Sequence, residues 1–435
     1  LSIASFEERT TFNLVVSYSF IFSQVLLGIQ QLVVTRYLAD CFYEKRYEDL
    51  FPAFLGMTKM TMALGSIVFL IFLSFSKLPL LLNGLIFILF MTINLIWVHF
   101  LFLSAAKFYQ AVAYSFLIGG IVSVGSVVLI DRYLMEYVTG LITPSLALTA
   151  GFTFGMVVTL FGLFTSMLLT FPQRGTKNQF TYLSYFDRYP ALFWTSFLYN
   201  IGVWVGNWVI WFSDGGAVHL GTFRYHPLYD TAIFLSYLTV IPTMTIFVVS
   251  VETRFYERYR IFYGYANEGG TLDQVEKARD AMLLVLRQEL QRLFRNQGLF
   301  TLFTLLFAST LLGYLALPEA TISIFQMTTI GAFSNAMVLV LTLLLLYFED
   351  QKGAAWISCV FFFSNGILAL LIAPFGFSGY GLSFAIGSTL TFAFALIRLI
   401  QYVSDIDYHT FCRMVLPQRS MRFTRWSERL NRSWM

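Results

Sequence analysis

The residues of this chain that could make or break bonds are few and scattered. His99, His219, His226 and His409 have no Cys or second His at metal-ligand spacing, although His219 and His226 share one loop. Cys41, Cys359 and Cys412 form no CxxC pair. Asp405-Ile-Asp407 has the DxD look of nucleotide-sugar transferases, yet no nucleotide fold surrounds it, and a solvated juxtamembrane pair is the plainer reading. No P-loop occurs, and Gly379-Tyr-Gly381 lacks the third glycine of a dinucleotide turn. General acid or base catalysis therefore has no candidate, no cofactor or metal is expected, and the chain reads as a non-enzyme.

Binding chemistry is better represented. Asn200, Trp204, Asn207, Trp208 and Trp211 recur at steps of three and four and so share one helical face. Aromatic faces beside amide donors suit an uncharged glycan, which makes Asn200, Trp204, Asn207 and Trp208 a candidate substrate path. Two plainer roles compete: an aromatic belt for Trp208 and Trp211 near a span end, and amide pairing between helices for the asparagines. Lys59 is the main charge within a span, and snorkelling or a carbonyl contact is its ordinary use. Asp230 stands at a helix start. Embedded carboxylates, the usual mark of ion coupling, are otherwise scarce.

The elements that must position these residues are membrane helices. Of 435 residues, 57% are hydrophobic and only 12% charged, with mean hydropathy +0.70, against about 25% charged in soluble domains. A membrane helix takes about 20 apolar residues. Such runs cover 12–38, 51–75, 79–103, 108–130 and 144–171, then 190–213, 229–251, 297–316, 321–347, 354–374 and 378–402, eleven in all. The fold class is thus an all-α polytopic membrane protein, and too little chain remains for a soluble catalytic domain.

Charge sets the orientation. Placing 39–50 in the cytoplasm and alternating puts 23 of the 28 basic residues inside and four (Arg9, Lys77, Arg132, Arg224) outside, with Lys59 in a span. The amino terminus then lies outside, which leads us to expect a preceding helix. One more helix gives six plus six, broken by a cytoplasmic linker at 172–189, so residues 1–171 and 190–402 form two lobes of a parallel repeat.

Two polar segments remain. The insert 252–296 carries eight basic and seven acidic residues. Gly269-Gly270 splits it, and Thr271-Leu-Asp-Gln274 reads as a capping box opening a helix whose Leu272, Val275, Met282, Leu286, Leu290 and Leu293 form an apolar stripe. Packing on its own transporter and docking of a cytoplasmic partner, through Arg279, Arg287 and Arg292, are both open. The basic tail 403–435 stacks Arg422, Arg425, Arg429 and Arg432 on one stripe beside Phe423, Trp426, Leu430 and Trp434, the pattern of a helix anchored in anionic headgroups.

Several stretches resemble the PelG family of exopolysaccharide exporters, in the multidrug/oligosaccharidyl-lipid/polysaccharide flippase superfamily. They are Gln31-Leu-Val-Val-Thr-Arg-Tyr-Leu-Ala-Asp40, Tyr199-Asn-Ile-Gly-Val-Trp204, His226-Pro-Leu-Tyr-Asp230, Val251-Glu-Thr-Arg-Phe-Tyr256, Glu268-Gly-Gly-Thr-Leu272 and Gln297-Gly298. The resemblance implies twelve helices in two six-helix lobes around a central cavity, the first helix being absent here. It also implies a bacterial inner-membrane complex with a PelF-like cytoplasmic glycosyltransferase and with PelD-like (cyclic di-GMP receptor) and PelE-like accessory proteins. The cargo implied is a nascent neutral N-acetylhexosamine polymer. No transport residue is carried over from the family, and no nucleic-acid partner is expected. Alternatives are a lipid-linked oligosaccharide flippase and a non-conducting scaffold for the glycosyltransferase.

Overall fold

The computed structural model describes residues 5–130, 143–171, 177–412 and 422–433. Trp434 and residues 172–176 of the linker lie outside them. The chain forms two compact units, one of Leu1–Asn200, Val218–Tyr225 and Gln418–Met435, the other of Ile201–Ala217 and His226–Pro417.

The first unit holds α1 (Phe6–Gly28), α2 (Gln31–Tyr43), α3 (Leu50–Phe75), α4 (Leu80–Ala105), α5 (Tyr109–Leu129), α6 (Pro144–Thr170) and α7 (Ser184–Arg188), and it begins α8 (Pro190–Ile210). Local chemistry starts the helices: Ser5 and Glu8 close a capping box on α1, and Thr143 caps α6 ahead of Pro144. Small residues let α5 and α6 touch backbone to backbone. A Cβ on Gly155 would lie 2.3 Å from that of Ser123, and one on Gly119 would strike the Thr159 hydroxyl, which is the small-residue packing that replaces hydrophobic driving force in lipid.

A two-residue turn at Leu220-Gly221, both at positive φ, joins β1 (Ala217–His219) to β2 (Phe223–Tyr225), as tight hairpins require. The second unit continues through α9 (Pro227–Leu238), α10 (Ile241–Val249), α11 (Tyr256–Glu268), α12 (Leu272–Leu306), α13 (Ala308–Gly313), α14 (Glu319–Tyr347), α15 (Gln351–Ile372), α16 (Leu382–Ser404) and α17 (Ile406–Phe411). The last helix, α18 (Arg422–Ser433), belongs to the first unit.

Eight of the described helices are long and apolar enough to cross a membrane. Three of the eleven runs are not among them. The run 190–213 is one helix, α8. The run 229–251 is broken at Thr239-Val240, just before Pro242, into α9 and α10. The run 297–316 is the end of α12 followed by α13, so the insert does not stop at 296 but continues as one 35-residue helix. The first run is also interrupted: α1 stops at Gly28 and α2 restarts at Gln31.

Within the insert, Gly269 adopts φ 92° and Thr271 with Gln274 forms the capping box. Val275, Met282, Leu286, Leu290 and Leu293 are buried, whereas Leu272 is exposed. The stripe thus packs on its own unit, against α11 and α14.

Candidate functional site

The last two turns of α8 and the start of α9 build a polar cluster in the second unit. The Asp230 carboxylate accepts from the Trp211 indole (2.9 and 3.0 Å), the Asn207 amide (3.3 Å) and the His226 backbone N–H (2.9 Å). Four polar contacts onto two oxygens hold both α8 side chains in one orientation. Asn207 is buried, and its Oδ1 accepts no hydrogen bond among the described residues, so an acceptor stays open beside the Asp230 carboxyl group.

His226 fixes this corner. It is the N-cap of α9, its Nδ1 accepting from the Tyr229 N–H (3.2 Å) while Nε2 faces the Asp214 carbonyl (3.3 Å). That pattern assigns the neutral ring with its proton on Nε2. Burial lowers its pKa below the ordinary histidine value. Tyr380, also buried, donates to the same Asp214 carbonyl (2.5 Å) and lies edge-on to the imidazole, centroids 4.9 Å apart.

The four residues expected to form the substrate path are not gathered into one ligand set. Asn200 is buried, but its amide donates to Ser196 O (2.8 Å) in its own helix. It sits against Gly28, where a Cβ would come within 2.9 Å of its Nδ2. Asn207 is in the Asp230 cluster, and Trp204 and Trp208 are half-buried along α8. Trp211, given a belt role by its position near a span end, is instead buried with its indole on Asp230. A lone aspartate at a helix start was visible in the sequence, but which indole it would engage was not.

Each unit also holds a buried glutamine at an interrupted helix. In the first, Gln30 donates to Thr61 (3.2 Å) and accepts from Tyr182 OH (3.0 Å). Nearby, Lys59 Nζ donates to the side-chain carbonyl of Gln179 (2.7 Å) in the linker. In the second, Gln297 donates to Thr239 O (2.8 Å), a carbonyl at the α9–α10 break. Freed backbone groups at membrane depth need such partners, and paired interruptions are where transporters of repeat architecture place their binding sites.

The basic candidates separate as well. Arg279 is engaged with Asp280 (2.9 Å) and Asp407, which raise its pKa, whereas Arg287 and Arg292 are exposed. Arg422, Arg425, Arg429 and Arg432 are exposed on α18, with Trp426 about half exposed. Protein contacts hold the tail. A third stripe docks it on the first unit: Thr424 N–H and hydroxyl donate to Asp187 (2.7 and 2.9 Å), Ser427 donates to Phe180 O (2.8 Å), and Asn431 accepts from Phe180 N–H (2.9 Å).

Long apolar helices in two units, with interrupted segments lined by buried amides, are those of an all-α, polytopic membrane transporter. The fold is similar to an inward-facing multidrug-resistance MATE transporter of the MOP superfamily (TM-score 0.58, 12% identity, 92% of each chain). It is equally similar to the lipid II flippase MurJ in an inward closed conformation (TM-score 0.58, 13% identity, 98% of this chain and 92% of that one). No curated protein matches the chain. Residues 1–411 match the profile of PelG, the exopolysaccharide exporter (EPS-E) family, and the chain belongs to that family. It is a multi-pass membrane protein of polysaccharide transport.

Proposed function

We propose that the chain passes a nascent, neutral N-acetylhexosamine exopolysaccharide of the Pel type across the bacterial inner membrane as one member of a synthase complex. The observation that carries this reading is the family match over residues 1–411. The site chemistry is compatible with it: Asn207 offers an open acceptor, and Trp204, about one turn before it, and Trp208, the next residue, are half-buried indoles. Hydroxyl and acetamide groups of a sugar would donate to such an acceptor while the ring lies on an indole face. The partners are a PelF-like glycosyltransferase and PelD-like and PelE-like membrane proteins. Exposed Arg287 and Arg292 provide the docking surface on α12, while Arg279 holds α12 to α17.

The test is co-reconstitution with the glycosyltransferase in vesicles supplied with nucleotide sugar outside. Polymer protected from added glycosidase is expected only when this chain is present. Equal protection in vesicles lacking it would overturn the reading. The likeness to a lipid II flippase favours one competing function, movement of a lipid-linked oligosaccharide. That alternative predicts translocation of a preformed lipid-linked substrate with no synthesis under way.

A further inference from the structure

Lys77 and Arg224, two of the four cations that the charge map leaves outside, are tied by their backbone N–H groups to Thr222 and Tyr18, which line an apolar cavity of about 230 Å³ in the first unit. Phe22, Phe69, Phe72, Phe90 and Phe223 line it between α1, α3, α4 and β2. Ile71 and Phe75 line it too and are 58% and 75% exposed, so the cavity opens on the exposed apolar surface of α3. Its polar edge is already satisfied: Ser19 donates to Val15 O, and the Thr222 hydroxyl accepts from Lys77 N–H. Nothing in it calls for water. A dry cavity of about 150 Å³ with such a lining takes a benzene-sized guest, so this one has room for part of an alkyl chain.

The hairpin places charge at its rim. Tyr18 OH donates to Arg224 O (2.6 Å) and accepts from Arg224 N–H (2.9 Å). A Cβ on Gly221 would lie 3.0 Å from Lys77 Cδ, so the lysine stem runs across the turn. Both side chains are exposed, each joined by a backbone bond to a residue that lines the cavity. Lys77 makes no ion pair among the described residues.

We infer that this cavity and its rim bind one anionic phospholipid, an acyl chain lying among the phenylalanines and the phosphate headgroup held by Lys77 and Arg224. Two cations kept outside against the positive-inside bias then have a common partner. The lipid bridges α1, α3, α4 and the hairpin. The site does not depend on what the transporter carries.

The purified chain, washed in detergent, is titrated with dioleoyl phosphatidylglycerol or with dioleoyl phosphatidylcholine. Bound lipid is counted by native mass spectrometry, and the unfolding midpoint is recorded. We expect one phosphatidylglycerol retained per chain and a midpoint several degrees above that with phosphatidylcholine. The double variant Lys77→Ala/Arg224→Ala should lose the preference between headgroups. Val68→Trp, which fills the cavity, should lose the retained lipid while the rim stays intact, and Arg9→Ala should keep both. Equal retention of the two lipids by the unaltered chain, or a phosphatidylglycerol preference that survives the double variant or Val68→Trp, would overturn the site.

Discussion

At the scale of single residues, the Asp230 cluster changes how α8 should be probed. Trp211 cannot serve as an inert belt control, because its indole N–H reaches both carboxylate oxygens. Trp211→Phe keeps the ring and removes the donor. It should cost about 0.5 to 3 kcal/mol, the range that spans hydrogen bonds to neutral and charged groups, measured as a shift in chemical unfolding of the purified protein. Phe212, 70% exposed one position further on, is the suitable surface control. Trp204→Ala should instead reduce polymer export at equal membrane abundance; normal export would remove Trp204 from the path. His226 supplies a pH dependence. Its folded-state pKa is lowered by burial, so its contribution is present above about 6.5, the unfolded value, and is lost as pH falls from there through the lower folded value. Protonation also removes the Nδ1 acceptor that caps Tyr229 N–H. The unfolding midpoint should therefore drop between pH 7.5 and 5, and His226→Asn, which caps without titrating, should flatten that part of the profile.

At the scale of elements, α12 and α18 show how one helix serves two surfaces. The apolar stripe of α12 is spent inside its own unit, leaving Arg287 and Arg292 exposed. Reversing both to Glu should lower co-purification of the glycosyltransferase or an accessory protein with little change in thermal stability. Reversing Arg279 should lower stability instead, because Asp280 and Asp407 then face a like charge. On α18, Thr424, Ser427 and Asn431 dock the helix while the arginines point away. Ser427→Ala with Asn431→Ala removes hydrogen bonds worth about 1 kcal/mol each and should speed hydrogen exchange of α18 in any lipid. Replacing Arg422, Arg425, Arg429 and Arg432 by Gln should abolish only the extra protection that nanodiscs of anionic lipid confer. If the arginine variant exchanges like the parent in both lipids, the headgroup role is wrong.

At the scale of the whole molecule, the charge split predicts sidedness. With the native cysteines replaced, a cysteine at Leu220, 49% exposed in the hairpin, should react with an impermeant maleimide from outside. A cysteine at Leu272, 74% exposed at the start of α12, should react only after the membrane is opened. Labelling of both from the same side would overturn the topology and, with it, the placement of Lys77 and Arg224 in the outer leaflet.

The apolar runs, the capping box at Thr271, the left-handed glycine at 269 and the positive-inside split were legible along the chain. Each is a local matter: helix length against bilayer thickness, one side chain against the next turn, a backbone angle that only glycine adopts cheaply. Helix breaks were harder to read, since both lie inside runs long enough and apolar enough to span; the partners that Gln30 and Gln297 find there lie in distant segments. The polar docking stripe of α18 left no hydrophobic signal, and its partners lie about 250 residues away. The same holds for the Asp230–Trp211 pair and for the phenylalanine cavity under the 217–225 hairpin. Tertiary structure decided these features, because a hydrogen bond or a shared cavity depends on which segments pack together, and residue spacing within one segment carries no record of that.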